Sequence, residues 1–388
     1  MMAVLFIDGF SHYATSDIQR KWTSKSDFAC TWTIEPTEGR NGGCLKRIST
    51  GNNSNSGVLV KSPNWRQTGV WSPQRSGICG FAIKIHDLSK VFGGQPHTIT
   101  VQTTVDSLFG VWNGSWTHFV VSVNADGTLS VWRGAISASS GVGLLATTIG
   151  ALVDETWTYL EFKWTLSTTN SATDGSLVIR ANGIEILNYS GVLFATNNPG
   201  FAPPTAEWTS VYCFGMQSVF STTPEGFLTL RVCDFYLSDQ VAPNNNFLGD
   251  ISISYIKPNG VGAASTWTPT PAVSNYQNVD EAPPTDDTDY NSATTVGLID
   301  SYEFENCNPS ITPIAVQQCI LMRRTVPGAA TIKSVVRQGS TNYESPAQPI
   351  PNETYFYNCF PYDTNPATGT TFTRTEIDNG QFGVDKVT

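Results

Sequence analysis

The 388-residue sequence predicts an all-β protein, with an antiparallel jelly-roll sandwich over 1–240 followed by a smaller β-sandwich over 248–388. Three observations carry this. Apolar and polar residues alternate with period two on both sides of Asn124-Ala-Asp-Gly127 and of Asn182-Gly183, the pattern of half-buried strands joined by tight turns. Ten of the eleven Trp precede residue 240, many of them inside such runs. Only 14% of residues are Asp, Glu, Lys or Arg, against about 25% in typical soluble domains, so Thr, Ser, Asn and Gly fill the solvent faces.

In chain order, Leu5–Phe10 reads as an edge strand entering a turn. The segment 14–22 suits one short helix, with Thr15 or Ser16 as N-cap and Asp17 in the first turn. The turn at Gly39–Gly43 leads to a strand over Cys44–Ile48, and 51–57 is a polar loop. Strands then recur at roughly ten-residue spacing. They are expected at 58–61, 79–85, 98–105, 108–112, 117–123, 128–133, 157–166, 176–181, 184–187, 210–217 and 227–237. Residues 241–247 form a polar, turn-rich linker. Gly249–Pro258 opens the second β region, a Pro- and Asp-rich excursion without period fills 258–295, and strands resume at 296–304, 313–325, 331–337, 353–359 and 370–374.

Net charge is −10 and no Lys/Arg cluster occurs, so a nucleic-acid surface is not expected, nor adhesion to anionic membranes. The run Met1–Asp8 lacks a basic start and is too short to span a bilayer, so neither a signal peptide nor membrane insertion is expected. Eight Cys lie at 30, 44, 79, 213, 233, 307, 319 and 359 without any C-x-x-C, which favours buried, small apolar Cys over a zinc site. Disulfides among Cys307, Cys319 and Cys359 stay open, because sequence alone does not pair them.

Several phrases carry a family likeness. Phe6–Phe10 with His12-Tyr13, Lys21–Thr23, Gly39–Gly43, Asn124–Gly134, Trp157–Lys163, Val232–Tyr236 and Asn246–Asp250 resemble laminin-G/concanavalin-A-like sandwich proteins encoded by tailed bacteriophages. Asn278–Pro284, Asp289-Tyr290, Val296-Gly297, Val335–Arg337 and Asp363–Thr373 are similar to the companion segment of those proteins. The resemblance implies a virion structural protein of the tail, neck or head-appendage class, made in the host cytoplasm and held by contacts with other virion proteins. A symmetric homo-oligomer is expected from the scarcity of charge on candidate edges and the abundance of aromatics, and the resemblance makes it trimeric by preference. Candidate edges poor in charge, Leu5–Phe10 and Leu228–Leu237, agree with faces covered by neighbours.

Catalysis finds little support in the residues. Glycoside hydrolysis needs two carboxylates about 5–10 Å apart. The Glu-x-Asp-x-x-Glu string of sandwich hydrolases is absent, and Glu155, Glu161 and Glu185 are isolated, with Glu161 expected on an outer sheet face. The four His (12, 86, 97, 118) accompany no Gly-x-Ser-x-Gly, and His118 reads as a satisfied, half-buried strand residue. The protein is therefore expected not to be an enzyme and to need no cofactor. Asp280, Glu281, Asp286, Asp287 and Asp289 are candidate Ca²⁺ ligands, because a hard cation takes clustered oxygens; Asp8 is a further candidate. Loop-borne Trp65, Trp71 and Trp112 are candidates for stacking on a host glycan, the alternative function being a carbohydrate-binding adhesin and the third, disfavoured by the missing carboxylate pair, a polysaccharide depolymerase. Trp132, Trp157 and Trp164 are assigned instead to the core.

Overall fold

The structure, a computed structural model, describes residues 4–27, 30–49, 59–61, 74–91, 107–112, 117–134, 143–150, 152–195, 205–215, 228–351 and 353–388. The protein is all-β, and the described residues up to 240 form a jelly-roll sandwich of two antiparallel sheets. One sheet runs Ile184–Gly191, Gly175–Ala181, Thr158–Thr165, Ser76–His86, Thr229–Ser238, Cys44–Ser49, Cys30–Glu35, with Val4–Asp8 also paired to Thr229–Ser238. The other runs Leu144–Thr147, Leu129–Arg133, Thr117–Val123, Ser107–Trp112, Ser210–Gly215, Leu59–Lys61, Ser24–Lys25. Between them lies one aromatic-rich core, in which Phe81, Phe109, Phe162, Phe214 and Phe235 stack or meet edge-on around Trp22 and Trp164.

Local chemistry accounts for this pairing. Asn182 and Gly183 both take positive φ (50 and 79), as a two-residue hairpin turn requires. At Gly127 (φ 80) a Cβ would stand 2.1 Å from the Leu152 carbonyl, so only glycine fits. On Ser76–His86, Gly80 lies opposite Tyr236 and Gly77 opposite Trp164, and a Cβ at either would be 2.2 Å from the partner ring. Each glycine makes room for an aromatic across the strand.

Thr229–Ser238 is not an edge. It pairs with Ser76–His86 on one side, and on the other with Cys44–Ser49 through Val232 and then with Val4–Asp8 from Phe235 onward. The change of partner falls at a bulge where Asp234 takes φ 56. The expected strands from 58 to 237 are found with small shifts, except 98–105, which lies outside the described residues. The expected helix appears as a 3-10 turn, Thr15–Asp17, running into Ile18–Lys21. Its N-cap is Ala14, and the Thr15 hydroxyl accepts from Ile34 N instead.

The 241–247 linker and the residues after it are a strap on the outer face of the first sheet. Phe247, Leu248 and Ile251 cover Ile78, Ala82, Tyr159 and Tyr236, while Gly249 N donates to Glu161 and Ile253 N to Asp234. Glu161 is on the outer face as expected, but fully buried there.

In the second module Pro258–Ser265, Ile299–Phe304, Gln381–Lys386, Thr331–Gln338 and Thr341–Glu344 form one sheet, with Gln348–Pro349 also on Thr331–Gln338. A two-stranded ribbon, Val316–Met322 with Phe356–Tyr362, faces it. Gly249–Pro258 is largely strap rather than strand, and 370–374 leads into the helix Arg374–Asp378 through a capping box of Thr373 and Glu376. The segment 258–295, expected to be an excursion without period, instead opens with the strand Pro258–Ser265 on Ile299–Phe304, alternately half-buried and exposed. It also holds a second ladder, Thr268–Thr270 with Tyr290–Ser292, and side chains order the chain between them. Asn275 donates to both oxygens of Asp300 at 2.8 Å, Tyr302 donates to the same carboxylate at 2.7 Å, and Asn291 bridges Tyr302 and Asn275 O.

Candidate functional site

The ribbon joins the modules, because its two faces belong to different cores. Val316, Ile320, Met322, Phe360 and Tyr362 pack on the second sheet. Cys319, Leu321, Tyr357 and Cys359 pack into the core of the first sandwich. Period-two alternation on one two-stranded ribbon thus supplies both. At the contact, Gln317 treats Val4–Asp8 as a neighbouring strand: its amide accepts from Ile7 N at 2.8 Å and donates to Ile7 O at 2.7 Å. Val4 N donates to both oxygens of Asp363, at 3.1 and 3.2 Å. The edge Leu5–Phe10 is therefore covered within the chain.

Beneath that edge lies a buried charge cluster. Asp8 is 1% exposed and accepts from Lys21 Nζ (3.0 Å), Phe10 N (2.9 Å), Tyr13 OH (2.7 Å) and Trp22 Nε1 (2.8 Å). Burial alone raises its pKa, but Lys21, His12 and the hydrogen bonds outweigh that and hold the carboxyl below its ordinary value. Lys21, also buried, is held up by Asp8 against its own desolvation and lies 3.2 Å from His12 Nε2. Lys61 sits 3.7 Å above the Phe6 ring, donates to Lys21 O at 2.9 Å, and is pushed down to about 8 by burial. His12 stacks on Tyr255 and meets Tyr357 edge-on.

His12 and Lys21 of the first module and Tyr255 help line a cleft of about 1030 Å³ shared between the two modules. Its walls carry aromatic faces (Trp267, Tyr290, Tyr355), carboxylates and Arg323. Burial, with the Asp289 and Asp280 carboxylates alongside, pushes Glu281 up to about 7. A rim of rings, carboxyls and a guanidinium is the chemistry that stacks on a sugar ring and hydrogen-bonds its hydroxyls.

The candidate residues fall as follows. Trp65 and Trp71 lie outside the described residues, and of Trp112 only the backbone is described, at the end of Ser107–Trp112. Asp8 is a salt-bridge anchor, its oxygens spent on four donors rather than open to a cation. Asp286 pairs bidentately with Arg20 across the modules at 2.7 and 2.8 Å, and Asp287 accepts from Arg323 (2.6 Å) and Tyr355 OH (2.9 Å). Asp289 accepts from the Thr285 hydroxyl. The acidic run therefore divides between arginines and a separate group of Asp280, Glu281 and Asp289. Among the described residues no three His, Cys, Asp or Glu are arranged to hold a metal ion. His118 is wholly buried and satisfied, Nε2 toward Glu207 O at 3.1 Å and Nδ1 accepting from Ala195 N at 3.3 Å. Of the three Trp expected in the core only Trp164 is there. Strand alternation turns Trp132 to the opposite face of its sheet from Leu129 and Val131, buried with Nε1 donating to the Ser122 hydroxyl at 2.9 Å, and Trp157 packs under the strap. Sequence reasoning missed Gln317, Lys21 and Asp363. The signal for Gln317 was a polar residue within an apolar run.

No protein-family model matches the chain, nor does any curated protein sequence. Among solved structures, the endo-β-1,4-glucuronan lyase of Trichoderma reesei is similar with 11% identity, 56% of this chain and 90% of that one covered, and a TM-score of 0.35. The alginate lyase of Aplysia kurodai is similar with 12% identity, 53% and 86% coverage and a TM-score of 0.35. The carbohydrate-binding module CBM66 of Bacillus subtilis gives 8%, 54%, 91% and 0.24. At these values the likenesses carry no argument about activity or ligand.

Proposed function

We propose that this chain is a non-enzymatic structural protein of a tailed-phage virion, part of a tail, collar or head appendage, in which the two modules act as one body. The observation that carries this is the ribbon shared by both cores and locked to the first strand by Gln317. A displayed sandwich that must keep its orientation on a particle needs such a joint, whereas hinged modules tolerate a small polar interface. The acidic residues of the sandwich agree with a non-catalytic role, since Glu161 is buried under the strap and Glu185 stands on an edge strand. In the proposed oligomer the contact runs along Leu144–Thr147 and Ile184–Gly191, the outermost strands at one side of the sandwich. These expose Leu144 (52%) and Ile184 (69%). Mass spectrometry of purified virions tests the reading: the chain is expected at a copy number that is a multiple of the appendage symmetry. Particles that lack it, with the chain free in the lysate, would overturn it.

A second reading, a carbohydrate-binding adhesin, is favoured by the cleft between the modules, with its aromatic and acidic lining. A glycan array probed with the full chain tests it. Binding that Trp267→Ala and Tyr355→Ala both weaken supports the cleft, and an array without signal rejects it.

A further inference from the structure

We infer that Cys319 and Cys359 form a reactive dithiol, a modification site that closes to a disulfide by exchange with a small disulfide such as oxidised glutathione arriving through the cleft. The two residues are direct partners in the antiparallel ribbon, and their sulfurs are 3.2 Å apart. Both are half-buried, whereas the other six Cys are buried. Cys319 lines the cleft together with His12 and Lys21. The hydrogen bond between the two sulfurs, with Lys21 and His12 beside Cys319, holds the Cys319 thiol below its ordinary value, while the same bond and burial hold Cys359 above it. That division assigns the attacking thiolate to Cys319 and the resolving thiol to Cys359. Cys307 lines the same cleft but is pushed up to about 11 by burial and the nearby Asp378, and so serves as an internal control.

The exchange balances in two steps. The Cys319 thiolate attacks one glutathione sulfur, forming a mixed disulfide and expelling a glutathione thiolate. Cys359 gives its proton to that thiolate and attacks Cys319, releasing the second glutathione, which takes a proton from water. Two electrons pass from the protein to the small disulfide. Because the ribbon belongs to both cores, the bond would fasten its strands at the joint between the modules.

The test treats the folded full-length chain with oxidised glutathione, then maps thiols by mass spectrometry. The expected result is loss of two of the eight thiols, a mass lower by two hydrogens, and a linked peptide pair containing Cys319 and Cys359. Cys359→Ser should instead hold glutathione stably on Cys319, and Cys319→Ser should leave Cys359 unmodified. In the untreated wild type, iodoacetamide should label Cys319 about tenfold or more faster than Cys307. Eight thiols persisting after treatment, modification centred on another Cys, or equal labelling of Cys319 and Cys307 would overturn the inference. The wild-type measurements decide it even if a variant fails to fold.

Discussion

Gln317 closes a strand edge that belongs to the other module, accepting from Ile7 N at 2.8 Å and donating to Ile7 O at 2.7 Å. The contact replaces what a further strand would supply, so a sheet edge poor in charge needs no neighbour from another molecule. Replacing Gln317 by Ala leaves two half-buried backbone groups without partners. The expected loss is about 2–4 kcal/mol in urea denaturation, with first-module and second-module fluorescence transitions separating. Coincident transitions at unchanged stability would mean that the amide does not couple the modules.

The Asp8–Lys21 pair sets a sign that can be checked. Lys21→Met leaves a buried carboxylate with three donors and without its salt-bridge partner, and should cost about 3–5 kcal/mol. The double replacement Asp8→Asn with Lys21→Met removes both charges and should recover a substantial part of that loss. Denaturation of both variants measures the difference, and a double variant worse than the single one would contradict the pairing.

His118 predicts acid sensitivity. Burial pushes it down to about 4, whereas in the unfolded chain it titrates at about 6.5. Between those values the unfolded state binds the extra proton. Its stability contribution is therefore complete above about pH 6.5 and is lost as pH falls toward 4, on the order of 3 kcal/mol. His118→Gln should flatten that part of the stability profile relative to wild type, and an unchanged slope between pH 6.5 and 4 would count against it.

Gly80 is a packing test. A Cβ there meets the Tyr236 ring at 2.2 Å, and the ring is held by Glu161 through a 2.7 Å hydrogen bond. Gly80→Ala should cost about 1–3 kcal/mol by overpacking. Thermal denaturation reads it, and Gly80→Ala with Tyr236→Phe should recover little, because the ring remains while its hydroxyl anchor is lost.

The sandwich was legible because its strands obey local rules. Asn182-Gly183 and Gly127 announce turns, and strands such as Gly175–Ala181 alternate cleanly. Less legible was everything fixed at long range. Gln317 meets Ile7 and Arg20 meets Asp286 across the chain, and no spacing encodes such pairs. Asp280–Asp289 read as one acidic cluster, since sequence shows the charges but not the arginines that divide them. The excursion after Pro258 shows no period in the sequence because its strand Pro258–Ser265 is built of Pro, Asn, Gly, Ala and Ser around one Val, and its other ladder, Thr268–Thr270 with Tyr290–Ser292, is only three residues long. Leu228–Leu237 read as an edge because its two partners on one side, Cys44–Ser49 and Val4–Asp8, are distant in sequence and exchange at Asp234. The strap after Gln240 has the composition of a linker, and its Gly249 and Ile253 amides find acceptors only in the folded sheet.

The proposed role as a rigid appendage protein meets its most direct test in a cryo-EM map of the parent phage particle. The account predicts density for the chain in symmetric copies, trimers by preference, on a tail, collar or head appendage. Both modules should be held in one arrangement, with the ribbon Val316–Met322/Phe356–Tyr362 seated against Val4–Asp8 in every copy. A particle whose appendages are fully accounted for by other chains would contradict the virion role, and copies in which the two modules take different relative orientations would contradict the rigid joint.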